Sequence, residues 1–161
     1  MALTRSSIKN NIESTLCYND VLTCSFGIHT DLTDGIPSGR IVYLNTQPKT
    51  VNERATDNGT VGYAATADAT AVVAGVVKDG CIDDGITYLP GINTDFNVSV
   101  TVLGTMVAEV EPGVAITVGA ELGADADGRA NAAGGTGLIA LSPAAGNGTA
   151  DNPEWIVVLI K

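Results

Sequence analysis

Between Val102 and Ala130 the chain reads VLGTMVAEVEPGVAITVGAELGADADGRA, and this stretch limits the possible folds more than any other. Apolar residues at Val107, Val110, Val114, Ile116 and Val118 are separated by the breakers Glu111-Pro112-Gly113 and Gly119. Short β-branched runs between tight turns predict two strands joined at Pro112-Gly113, not a helix. With 19 glycines and 6 prolines in 161 residues, the rest of the chain is punctuated too often for long helices.

With these two included, strands are predicted at Arg40 to Leu44, Ala71 to Val77, Phe96 to Leu103, Thr105 to Glu111, Val114 to Val118, Gly137 to Leu141 and Trp155 to Ile160, with one more short strand around Leu22 to Phe26. Phe96, Val98, Val100 and Val102 alternate with Asn97, Ser99 and Thr101, which predicts one packed and one wet face. Many short strands without an intervening helical period indicate an all-β fold, a small barrel or a jelly-roll-like sandwich. Asp125 to Gly135 and Ala144 to Asn152 read as exposed loops, and Gly85 to Asp95 as a hairpin-like excursion carrying Tyr88.

Residues 1–33 form an N-terminal arm and irregular segment, and residues 34–161 a β-rich domain. In the arm, Ile8, Ile12 and Leu16 recur every four positions behind Ser6 and Ser7, so it is either a short helix with one apolar face or an extended strap. A chain of about 150 residues buries roughly 68–70% of its unfolded surface, enough for a core without disulfides. Aromatics are only 4% of the residues, so that core is expected to consist of Val, Ile, Leu and Ala, with Trp155 as its one large anchor.

Eighteen acids against eight bases give a formal charge of −10, which disfavours nucleic acid and anionic membrane as partners and suits solubility. No apolar run approaches the ~20 residues of a spanning helix. Cys17, Cys24 and Cys81 form no C-x-x-C pair and the N-terminus lacks the apolar core of a secretory signal, so free, buried thiols in a reducing compartment are expected. The sequons at Asn58, Asn97 and Asn147 then carry no meaning.

Candidate chemistry is sparse. Asp125-Ala126-Asp127-Gly128 is similar to the opening of a calcium loop, but the required acid further on is replaced by Arg129, Ala130, Asn131 and Ala132, so these carboxylates read first as a turn. His29 is the sole imidazole. It lies in a polar segment, reads as a surface residue, and has no nucleophile elbow to serve. Neither a cofactor-binding loop nor a phosphate cradle is present. Gly80-Cys81-Ile82-Asp83-Asp84-Gly85-Ile86-Thr87-Tyr88 is similar to a motif of trimeric β-rich dUTP pyrophosphatases, with the spacing to Tyr88 too long by two residues. A second alternative is a carbohydrate-binding or adhesion module using Tyr63 or Tyr88, although seven aromatics supply few platforms.

Four segments in a fixed order carry a further resemblance. They are Gly35-Ile36-Pro37-Ser38-Gly39-Arg40-Ile41-Val42, then Ala71-Val72-Val73-Ala74-Gly75-Val76-Val77, then Glu111-Pro112-Gly113 leading to Gly119-Ala120-Glu121-Leu122-Gly123-Ala124-Asp125, and the closing Trp155 to Ile160 strand. In this order the chain resembles the structural cement, or capsid decoration, proteins of tailed bacteriophages, over most of Asp34 to Lys161. The resemblance implies a non-enzymatic β module without cofactor, made in the host cytoplasm and bound to the outer surface of the virion shell. Its implied partner is the major capsid protein, whose subunits it bridges. Self-association as a homotrimer is implied, with a dimer as the competing geometry. On this reading Ile8, Ile12 and Leu16 anchor the arm, and Arg5, Lys9 and Arg40 meet carboxylates of the coat.

Overall fold

The computed structural model describes residues 20–29, 31–46, 59–66, 69–82 and 97–161. These residues are all-β, with strands β1 (Asp20–Ile28), β2 (Gly35–Ile36), β3 (Ile41–Asn45), β4 (Thr60–Gly62), β5 (Ala69–Asp79), β6 (Cys81–Ile82) and β7 (Asn97–Glu109) in the first part of the chain. The remainder carries β8 (Ala115–Ile116), β9 (Gly123–Ala124), β10 (Ala130–Asn131), β11 (Ile139–Ala140), β12 (Ala144–Ala145) and β13 (Trp155–Ile160). The arm positions Arg5, Ile8, Lys9, Ile12 and Leu16, the Gly85 to Asp95 excursion and Phe96 lie outside the described residues.

Strands run in the order β1-β4-β3-β5-β7, and β7 returns to pair with β1, closing a five-stranded barrel. Only β1 and β4 are parallel within it, through Gly27↔Thr60 and Ile28↔Val61. Closure removes the free edges that an open sheet would expose. The single short strand expected at Leu22 to Phe26 is nine residues long. It lies within the first of the two segments expected from sequence, and it pairs with β7 and β4 in the second. Its polar Thr23 and Ser25 face outward, which is why the run does not read as a buried strand.

The two strands expected on either side of Gly104 are one, β7, of 13 residues. Gly104 was the expected break; at φ +117° it instead lets a continuous strand change partners. It is the register partner both of Asp20 in β1 and of Ile160 in β13. The turn at Glu111-Pro112-Gly113 forms as expected, with Val114 N–H donating to the Glu111 carbonyl at 3.2 Å. Its second arm does not fold back onto β7. β13 pairs with that half of β7, from Trp155↔Glu109 to Ile160↔Gly104, and β8 pairs with β12 instead.

Two apolar cores result. Phe26, Val42, Val61, Val77, Val98 and Val100 fill the barrel. Ile41, Val76, Met106, Ile116, Leu122, Leu138, Ile156 and Val158 fill a second core beneath the C-terminal ribbons. Successive strand residues point to opposite faces, so the neighbours Ile41/Val42 and Val76/Val77 each place one side chain in either core. This double burial explains the apolar run Ala74 to Val77 in β5. It also corrects the expected wet face of β7, because Thr101, paired with Val76, is fully buried. Both cores are mainly aliphatic. Trp155 is not their anchor: it is half-buried against Gly39, where a side chain would collide with its ring.

Candidate functional site

Charged residues converge where the end of β7 meets the turn between β9 and β10. Glu109, the last residue of β7, is 2% exposed, and Arg40, just before β3, is 3% exposed. A buried carboxylate needs a cation and hydrogen-bond donors at hand. Oε1 of Glu109 accepts from Arg40 Nη2 at 3.0 Å and from Arg129 Nε at 3.1 Å. Arg40 is thus buried against a carboxylate of its own chain. Burial alone would lower the Arg129 pKa, but the Glu109 hydrogen bond and the charges of Asp125 and Asp127 outweigh it and hold the guanidinium above its ordinary value.

Asp125 and Asp127 belong to the same cluster. Asp125 Oδ1 accepts from the backbone N–H groups of Asp127 at 2.9 Å and Arg129 at 2.7 Å, closing an Asx-type turn. Arg129 Nη1 reaches Asp125 Oδ2 at 3.4 Å and Asp127 Oδ2 at 2.7 Å. The cation facing these two carboxylates is therefore Arg129, and among the described residues no group of three His, Cys, Asp or Glu side chains is placed to hold a metal ion. Asp125 to Gly135 is not simply an exposed loop, because Ala130 within it is fully buried. Ala144 to Asn152 is likewise tied down: the Glu154 carboxylate accepts from the backbone amides of Ala145, Gly146 and Asn147 at 3.2, 2.8 and 3.1 Å.

Beside the arginine cluster lies an open cleft of about 450 Å³, lined among others by Asp31, Asp34, Tyr63, Thr66, Asp127 and Arg129. Near it His29 departs from the surface position expected of it, being 2% exposed. Its Nδ1 accepts from the Asp31 N–H at 3.1 Å, and the Asp31 carboxylate stands 3.6 Å away. Cys24 is half-buried against the barrel core and free, as expected of a small hydrophobe.

Apolar side chains also reach the outer surface. Leu22 and Leu103 are register partners across β1 and β7, 49% and 41% exposed. They stand at the root of residues 1–19, which join β1 at Asp20. Sequence reasoning missed this pair because register, not composition, brings it together. It also missed Glu109 and Arg129. The available signal was a lone acid inside the apolar run Met106 to Val110, which demands a buried cation. Comparison of the sequence with protein-family models finds no match, and comparison with the curated proteins finds none.

Proposed function

We propose that this chain is a structural cement protein of the tailed-phage type, which binds the outer surface of an assembled capsid and bridges major capsid subunits without catalysing a reaction. The observation that carries the reading is the Leu22/Leu103 pair at the root of the N-terminal segment. It follows closely in sequence on Ile8, Ile12 and Leu16, the apolar residues that recur every four positions, on a chain whose net charge is −10. Exposed apolar side chains grouped on an otherwise charged protein mark interaction surfaces. The ordered set of β motifs, the closed barrel and the internal pairing of Arg40, Glu109 and Arg129 support the same reading, since they describe a rigid body that acts by adding interface.

Binding assembled shell but not free coat stabilises the shell by RT ln(1 + [L]/Kd), about 4 kcal/mol per site at a thousandfold excess over Kd. The proposed arrangement is a homotrimer at shell three-fold positions, with two-fold dimers as the competing geometry. Mixing the purified protein with empty shells and examining the pellet by cryo-electron microscopy tests both the binding and the symmetry. Deleting residues 1–16, or the paired changes Leu22→Asp and Leu103→Asp, is expected to abolish co-sedimentation while the barrel stays folded. Undiminished decoration by both variants would overturn the reading.

A further inference from the structure

We propose that the cleft beside the arginine cluster is a binding site for a neutral saccharide. Its volume of about 450 Å³ falls within the roughly 300–1,000 Å³ of small-ligand sites. Its lining carries both hydrogen-bond donors and acceptors. Arg129 is pinned through Nε and Nη1 by Glu109, Asp125 and Asp127, which leaves Nη2 without a protein partner among the described residues. Asp31 and Asp127 supply carboxylates with side chains 61% and 62% exposed. Thr66 lines the same cleft, its hydroxyl turned inward toward Gly62.

Tyr63 provides the apolar wall. It is half-buried, and its ring edge lies against Gly128, where a Cβ would fall 2.8 Å from Cδ1. A sugar matches this combination because each hydroxyl both donates and accepts while the ring C–H groups need an apolar surface. A small anion is repelled by Asp31, Asp34 and Asp127. A small cation meets an Asp127 carboxylate already facing Arg129.

The test is an amide NMR titration of the full chain with millimolar methyl glucoside, methyl galactoside, methyl mannoside and N-acetylglucosamine, with spermidine and sulfate as charged controls. At least one sugar should shift the amides of Thr66, Asp127 and Arg129. Asp127→Asn, at an exposed position, and Tyr63→Ala should each weaken that sugar at least tenfold. The proposal is overturned if no sugar shifts these amides, if only spermidine or sulfate does, or if Asp127→Asn and Tyr63→Ala leave the affinity unchanged. No shell enters the experiment, so its outcome is separate from that of the capsid-binding test.

Discussion

Glu109 shows how one residue organises the charged end of the molecule. Two guanidinium groups share its Oε1, and breaking a buried pair by removing one partner costs about 3–5 kcal/mol. Glu109→Ala is therefore expected to lower stability by that amount in a denaturant titration, and Asp127→Asn, at the exposed end of the same cluster, by less than about 1 kcal/mol. The pH dependence of the cluster is asymmetric. The raised pKa of Arg129 places its loss of charge beyond the accessible alkaline range. Tyr43 is different, because burial pushes its phenol above the ordinary value of 10.0. The unfolded chain gives up this proton first, so the stability held below pH 10.0 falls as pH rises from there through the folded value. An alkaline ultraviolet titration should find one tyrosine ionising late, and Tyr43→Phe should flatten the fall in stability above that pH.

At the scale of elements, the decisive strands are β5 and β7, each with a glycine in a conformation closed to other residues. Gly75, at φ +147°, lies so close to the Thr101 carbonyl of β7 that a Cβ would collide with it. Gly75→Val is expected to force the two strands apart and cost about 3 kcal/mol or more, read as a drop in melting temperature together with faster amide exchange along β7. Gly104 acts in the opposite sense, keeping β7 continuous while its partners change from β1 to β13.

For the whole molecule, two cores share one pair of walls. Ile41 and Val76 face the second core while Val42 and Val77 face the barrel, so neither core can open without disturbing the backbone of the other. A single cooperative unfolding transition is expected, with calorimetric and van't Hoff enthalpies in agreement. Val76→Ala and Val77→Ala should each cost about 2–3 kcal/mol without splitting the transition. Two resolved transitions would show that the cores are independent.

The all-β class, the aliphatic core and most strand positions were legible in the residues themselves, since period-two runs bounded by Gly and Pro are local signals. The turn at Glu111-Pro112-Gly113 was equally local. Which strand lies beside which was not. β8 avoids β7 because β13, some forty residues later, already occupies that edge, and Thr101 and His29 are buried by parts of the chain distant in sequence. Likewise Arg40 and Glu109 are 69 positions apart, and the cleft of Tyr63, Asp31 and Arg129 is assembled from three separate turns. Local backbone preference acts over a few residues, so it sets the elements; burial and charge pairing act through space, so only the closed fold decides their neighbours.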